Sequence, residues 1–147
     1  MFHHNITRTL GADIAVEPAA AGQTAVNGKT IDAAGFESVA FLVSFGAITA
    51  GAVTGIKIQA GDESDGSDMA DIAGSAVSVP DSASNKGVWS AEIHRPTKRF
   101  LRAVVTRGTA NAVVNGGFAL LGRAGVQPPD AGANMVDAVP PVLVSVP

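Results

Sequence analysis

The sequence predicts an all-β protein, built as an antiparallel sandwich or barrel of about eight short strands. Apolar and polar residues alternate in several short runs, which is the pattern of strands with one buried face. Turn residues separate these runs every ~8–12 residues, and no helical pattern extends beyond about two turns. The chain has six Phe, one Trp and no Tyr among its 147 residues, so we expect a core of small side chains.

The first 22 residues are predicted to form an N-terminal arm, because polar side chains dominate them and Pro18 interrupts strand pairing. Within this arm, only Asp13 to Val16 has the alternation of a strand. The dipeptide Asn27-Gly28 follows, and it favours tight hairpins because both of its residues accept a positive φ. We therefore expect a hairpin or a sharp corner between Thr24–Val26 and Lys29–Asp32.

The strongest strand pattern extends from Phe36 to Ile48. One face of this strand carries Val39, Phe41, Val43 and Phe45, and the other face carries Ala40, Leu42 and Ser44. A sheet face that is open to water alternates more cleanly than this. A strand that is apolar on both faces belongs in the middle of a sandwich or against a neighbouring subunit.

The next strand, Gly55 to Ala60, leads into an acidic loop that ends at Gly74. Later strands are predicted from the same alternation, because prolines and glycine-bearing turns separate the runs. These strands extend over Ala76–Val79, Val88–His94, Arg99–Arg107, Ala112–Asn115 and Gly117–Leu121, with a bulge at Asn115-Gly116-Gly117.

From Ala124 onward the composition changes, and the last twenty residues hold five of the eight prolines. Such a segment is neither a packed helix nor a central strand, so an extended C-terminal arm is predicted. Its apolar residues are nevertheless expected to bind a partner surface. These residues are Val142, Leu143, Val144 and Val146. The predicted organisation is an arm at 1–22, a single sandwich domain at 23–123 and a second arm at 124–147.

Composition argues against several classes of partner. Ten Lys and Arg against thirteen Asp and Glu give a formal charge of -3, which is unlike a surface that binds nucleic acid by neutralising phosphates. The absence of Cys excludes disulfides and thiolate metal sites. The longest apolar-rich stretch, Val39 to Val53, is interrupted by polar residues and is shorter than the ~20 residues of a membrane-spanning helix.

The acidic loop has two interpretations. Its carboxylates are those of Asp62, Glu63, Asp65, Asp68 and Asp71, and Asp62, Asp65 and Asp68 are candidate calcium ligands. Counted from Asp62, however, the sixth and twelfth positions are Ser67 and Ala73, where a helix-loop-helix calcium site has glycine and glutamate. We therefore favour a solvated turn in which Asp side chains cap backbone N–H groups, with Ser67 as the N-cap of one helical turn.

His3, His4 and His94 suggest a cupin-like metal enzyme as an alternative. Two of these histidines lie in the predicted arm, and His94 has only Glu92 on its strand face, so no metal centre is assigned. No serine has the Gly-x-Ser-x-Gly surroundings of a hydrolase nucleophile, and phosphate-binding glycine patterns are absent. We assign no catalytic residue and no cofactor.

Positive charge is concentrated between His94 and Arg99, with Arg102 and Arg107 beyond. This basic run is either a solvated strand edge that charge protects from aggregation, or an acceptor for an acidic partner surface. The candidate partner-binding residues are Arg95, Lys98, Arg99 and Arg102. Because the run is complementary in charge to the acidic loop, we expect the two to lie close together, within a subunit or across an interface.

The pattern between Phe36 and Gly122 resembles the small jelly-roll cement or decoration proteins of tailed-bacteriophage capsids. The resemblance lies in Gln59-Ala60-Gly61-Asp62, in Asp65-Gly66, in Met69 to Gly74 and in Lys98 to Arg102. It implies a jelly-roll β-sandwich with extended arms that has no catalytic activity. It also implies a homotrimer that binds the major capsid protein on the outside of the shell and bridges capsomers. A tail, neck or fibre-associated component of the virion is the alternative.

Overall fold

The computed structural model describes residues 10–124 as an all-β structure. The strands are β1 (Gly11–Val16), β2 (Ala19–Gly22), β3 (Val26–Asn27), β4 (Ile31–Asp32), β5 (Phe36–Ile48), β6 (Val53–Gly61), β7 (Ala70–Asp71), β8 (Val77–Val79), β9 (Val88–His94), β10 (Phe100–Gly108) and β11 (Ala112–Ala124). One short 3₁₀ turn, Asp81–Ala83, lies between β8 and β9. Within residues 10–124, no helix has the length and apolar character needed to cross a membrane.

The strands form two antiparallel sheets that pack as a β-sandwich, as the sequence predicts. The first sheet has the order β1-β11-β5-β9, and β2 also pairs with β11. The second sheet has the order β3-β10-β6-β7, while β4 pairs with β10 and β8 pairs with β6. Strands that are neighbours in a sheet are mostly distant in the sequence, so the chain passes repeatedly between the two layers.

The core lies between the sheets and is built around one face of β5. The face that carries Val39, Phe41, Val43 and Phe45 is turned inward, and all four side chains are at most 2% exposed. The prediction that these four residues share one face of the strand is confirmed. The second sheet covers them with equally buried side chains from its two central strands. These side chains are Ile56 and Ile58 of β6, and Leu101, Ala103 and Val105 of β10.

The first sheet extends further toward the N-terminus than the sequence analysis predicts. Gly11–Val16 and Ala19–Gly22, which are assigned to an arm, pair with β11 as an edge strand in two pieces. Ala15 and Val16 are buried in the core. Pro18 does interrupt the pairing, but an edge strand tolerates a proline because its second side needs no donor. Residues 1–9 and 125–147 of the two predicted arms lie outside the described residues.

The predicted hairpin at Asn27-Gly28 is wrong. Strands β3 and β4 both pair antiparallel with β10, so they run in the same direction and form one interrupted edge strand. Neither residue of the dipeptide has a positive φ. Instead, the Gly28 N–H donates to Ala103 O of the second sheet and the Lys29 N–H donates to Ala15 O of the first, both at 2.8 Å. A Cβ at Gly28 would clash with both carbonyl oxygens, so glycine is required where the chain joins the sheets.

The bulge predicted in the last strand is confirmed. The register between β11 and β5 shifts between Val114 and Gly116, and Gly116 has a φ of 120°. A residue with a Cβ is strained at this φ, which explains why glycine occupies the extra position of the bulge.

Replacing Phe41, which is fully buried, tests the importance of the β5 core face. We expect Phe41→Ala to lower the free energy of unfolding by about 3–5 kcal/mol, because the cavity cannot be refilled by the small side chains around it. Urea denaturation of the full chain measures the loss. Phe118→Ala is the matched control, because Phe118 is 60% exposed. An equal loss in both variants would contradict the assignment of the core.

Candidate interaction surface

The outer face of the first sheet carries a continuous group of apolar side chains, which we call the apolar outer face. It consists of Ala12 and Ile14 on β1, Phe118 and Leu120 on β11, and Ala40 and Leu42 on β5. The strand register places Ile14, Phe118 and Leu42 side by side in one row, and Ala12, Leu120 and Ala40 in the next. On β5 and β11 these residues alternate with buried apolar residues, so these two strands present apolar side chains in both directions.

Large side chains on this face are open to solvent. Phe118 is 60% exposed and Ile14 is 38% exposed, whereas Leu42 and Leu120 are partly covered by their neighbours. An isolated exposed apolar residue is ordinary, but adjacent rows across three strands form a contiguous patch, which makes this face a candidate surface for binding another molecule.

A group of polar side chains lies on the outer face of the second sheet, and these side chains form hydrogen bonds with one another. Lys57 Nζ lies 2.8 Å from Asp71 Oδ2, and Gln59 Nε2 donates to Asp71 Oδ1 at 2.7 Å. Arg102 Nε in turn donates to Gln59 Oε1 at 3.1 Å. The hydrogen bond from Lys57, followed by that from Gln59, lowers the pKa of the Asp71 carboxyl. The two sides of the sandwich therefore differ in the polarity of their exposed side chains.

Three of the four candidate partner-binding residues of the basic run, Lys98, Arg99 and Arg102, have side chains that are engaged within the chain. Arg99 forms a bidentate pair with Asp32, with Nε–Oδ1 at 3.0 Å and Nη2–Oδ2 at 2.8 Å. This hydrogen bond lowers the pKa of the Asp32 carboxyl. Arg102 binds Gln59, and Arg95 is exposed at the corner after β9. Recognition of an acidic partner by these residues stays a prediction, and Val142, Leu143, Val144 and Val146 lie outside the described residues.

The expected proximity of the basic run and the acidic loop is confirmed within the subunit. Lys98 Nζ forms a salt bridge with Asp62 Oδ2, and this hydrogen bond raises the pKa of Lys98. Both side chains are about half exposed, at 48% and 55%, so solvent screens the pair and its contribution to stability is small.

The acidic loop is a capped turn, as the preferred interpretation predicts. Asp68 accepts the backbone N–H groups of Asp62 at 2.7 Å and Glu63 at 3.1 Å. Asp65 accepts the N–H of Ser67 at 2.9 Å. These backbone hydrogen bonds lower the pKa of both carboxyls. The candidate calcium ligands thus have partners within the chain, and no group of three metal-ligating side chains occurs among residues 10–124.

The helical turn expected from Ser67 is wrong. Ala70 and Asp71 form the short strand β7, which pairs with Ala60 and Gln59 of β6. The Asp71 carboxylate holds this pairing because it binds side chains of β6 on the same face. Hydrogen bonds to a neighbouring strand therefore prevail over the local helical preference.

The histidine and glutamate of the cupin-like alternative lie on the outer surface. His94 and Glu92 are exposed side chains at the edge of the first sheet. Glu92 accepts a hydrogen bond from the Ser38 hydroxyl. A cupin-like centre would instead need its ligands gathered inside the sandwich, so the arrangement of these two residues gives that alternative no support.

No protein-family model matches the sequence, and no curated protein is significantly similar to it. Sequence reasoning identified the β5 part of the apolar outer face but missed Ala12, Ile14, Phe118 and Leu120. The missed signal is the same period of two, since Phe118 and Leu120 alternate with the buried Ala119 and Leu121. Ala12 and Ile14 could not be recognised before their pairing with β11 was known.

The acidic loop leads to a prediction about pH. The pKa of Asp68 is lowered in the folded state, so its ionised form stabilises the fold above the unfolded pKa of about 3.9. That stability is lost as the pH falls through the folded pKa. We therefore expect Asp68→Asn to lower the urea midpoint at pH 7, and the difference from the unmodified chain to shrink below about pH 4.

Glu63→Gln is the matched control for Asp68→Asn. It removes one charge from the same loop, and within residues 10–124 the Glu63 side chain caps no backbone N–H. Urea midpoints measured between pH 3 and pH 7 should therefore show no such pH-dependent difference for Glu63→Gln. If both variants responded in the same way, the loss of charge in the loop would explain the effect, and the capping role of Asp68 would be contradicted.

Proposed function

We propose that this chain is a structural protein of a tailed-bacteriophage virion that binds the outside of the capsid as a cement or decoration protein. The observation that carries the proposal is the apolar outer face, a surface that water solvates poorly and a partner can cover. The identity of the partner, the major capsid protein, comes from the sequence resemblance. Binding would bridge neighbouring capsomers and stabilise the shell without any catalytic step.

A jelly-roll topology is part of this proposal, and the strand order supports it. When β1 with β2, β3 with β4, and β7 with β8 are each counted as one strand, the sheets have the orders 1-8-3-6 and 2-7-4-5. Strand 1 then pairs with 8, 2 with 7, 3 with 6 and 4 with 5. This is the pattern of a long antiparallel ribbon rolled into two layers, which is the arrangement of two Greek keys in a jelly roll.

The size of the apolar outer face fits a contact that is one part of a larger interface. Three neighbouring strands span about 10 Å between their axes, and the two apolar rows are about 7 Å apart. A stable interface buries about 800 Å² on each partner, which is much more than this area. The apolar outer face would then be the centre of the contact, with Phe118 as the main anchor and a polar rim around it.

The resemblance suggests that this protein assembles as a homotrimer at the capsid surface. Several copies held together bind several capsomers at once, so that modest contacts add to a high overall avidity. The sidedness of the sandwich favours such an arrangement, because the polar side has its hydrogen bonds satisfied and can face water while the apolar side docks.

Charge substitutions on the apolar outer face test the proposed docking. We expect Phe118→Asp and Leu42→Asp each to weaken binding to shells depleted of this protein by about tenfold or more, because a carboxylate would be buried at the contact. Sedimentation of the full-length variants with shells, followed by imaging, measures the binding.

Val53→Asp is the matched control for these substitutions. Val53 is 67% exposed and lies on β6 of the second sheet, so this variant should bind shells like the unmodified chain. Urea denaturation should give similar midpoints for all three variants. If the unmodified protein binds no shells and is missing from purified virions, the proposed function is rejected. If all three variants bind equally, a different surface makes the contact.

A further inference from the structure

Strand β9 leaves one backbone edge of the first sheet open. It is the terminal strand in the order β1-β11-β5-β9, and in residues 10–124 nothing pairs with its second side. The other sheet edges are short or interrupted, because β1 and β2 are separated near Pro18, β3 and β4 near Gly28, and β7 has only two residues. In contrast, β9 has seven residues in one uninterrupted run. Proteins rarely leave such an edge uncovered.

The hydrogen-bonding groups on the open edge can be identified from one backbone contact. The Arg95 N–H donates to Glu37 O of the β5 side at 2.6 Å, which makes this a hydrogen-bonded pair. In an antiparallel ladder, hydrogen-bonded pairs alternate with pairs whose backbone N–H and C=O groups point away from the partner strand. Ala91 and Ile93 therefore bond to β5, while Ser90 and Glu92 direct their N–H and C=O groups to the open edge.

Side chains of β9 that face the core are only partly covered. Trp89, Ala91 and Ile93 lie opposite the fully buried Val43, Phe41 and Val39 of β5. They pack against the core yet remain half-buried, whereas their β5 partners are completely enclosed. One further strand beside β9 would cover these side chains and satisfy the open backbone groups.

The structure and the sequence together indicate which segment completes this edge. We propose that Val142–Val146 of the same chain adds to β9 as an antiparallel edge strand. Val142, Val144 and Val146 would pack beside the half-buried Trp89, Ala91 and Ile93, while Leu143 and Ser145 would face outward. The segment has the alternation and the β-branched residues of a strand, and Pro141 and Pro147 limit it to five residues.

The path of the chain favours this pairing within one subunit. Ala124, the last residue of β11, pairs with Phe36, close to the Ser38 position that pairs with His94 at the end of β9. The chain therefore leaves the sheet at the end where an antiparallel neighbour of β9 must begin. The crossing is about 14 Å, or three strand spacings, and residues 125–141 can span up to ~55 Å.

A second copy is a weaker candidate for this edge. Two β9 edges could pair with each other, but a strand tethered to the same chain acts at a high effective concentration and needs no second molecule. The five-residue segment also matches the open, core-facing part of β9 in length. This inference goes beyond the proposed function, because it concerns the isolated chain and does not depend on any capsid contact.

Amide exchange in the full chain, measured residue by residue by NMR, tests the proposal. In the unmodified chain the Ser90 and Glu92 amides should be protected although residues 10–124 offer them no acceptor. Val144→Asp should increase their exchange about tenfold or more, because a carboxylate cannot be buried beside the core. Ser145→Asp, the matched control on the outward side, should leave their protection unchanged.

The fluorescence of Trp89 provides an independent readout, because it is the single Trp of the chain. Its emission should shift to longer wavelength in Val144→Asp and not in Ser145→Asp. Unprotected Ser90 and Glu92 amides in the unmodified chain would overturn the proposal. So would loss of protection at Ala91 and Ile93 in Val144→Asp, since the segment would then support the whole sandwich. Protection that disappears on dilution would show that a second copy supplies the strand.

Discussion

The organisation of this protein depends on strand β5, which carries apolar side chains on both of its faces. Its inner face is enclosed by β6 and β10 of the second sheet, and this contact is the centre of the core. Its outer face continues across β11 and β1 as the apolar outer face. The inner contact holds the two sheets together, and the outer face is the surface on which the proposed docking depends.

A core of small side chains needs additional links between the layers, and two backbone-directed contacts provide them. Gly28 and Lys29 donate to one carbonyl of each sheet. The Arg107 guanidinium of β10 also donates to the carbonyl oxygens of Thr24, Ala20 and Ala112 at 2.7–2.8 Å. Hydrogen bonds to a charged donor are stronger than those between neutral groups. Arg107, considered from the sequence as part of a basic surface, is therefore a structural residue.

The sequence predicted the features that depend on interactions between residues close together in the chain. The alternation of β5 predicted its bounds and which residues share a face. The short Asp side chains of the acidic loop cap backbone N–H groups within a few residues. Features that depend on a distant partner were missed. The dipeptide Asn27-Gly28 predicts a hairpin when it is considered alone, but in the structure Asn27 belongs to a strand that pairs with β10. Ala12 and Ile14 were assigned to an arm, because their pairing with β11 is not visible in the sequence. Because most strand pairs here are non-local, topology had to come from the structure.

The charged side chains on the second sheet contribute little to stability, and their main effect is to make the two outer faces of the sandwich differ in polarity. Lys57 and Asp71 are 30% and 53% exposed, and such pairs typically stabilise by about 0–1 kcal/mol. Their effect is that donors and acceptors on this face are already matched, which leaves little for a partner to gain there. The apolar outer face has the opposite property, because covering its side chains releases water at no cost in polar contacts. The two faces therefore differ in polarity, and the proposed docking on a larger surface depends on this difference.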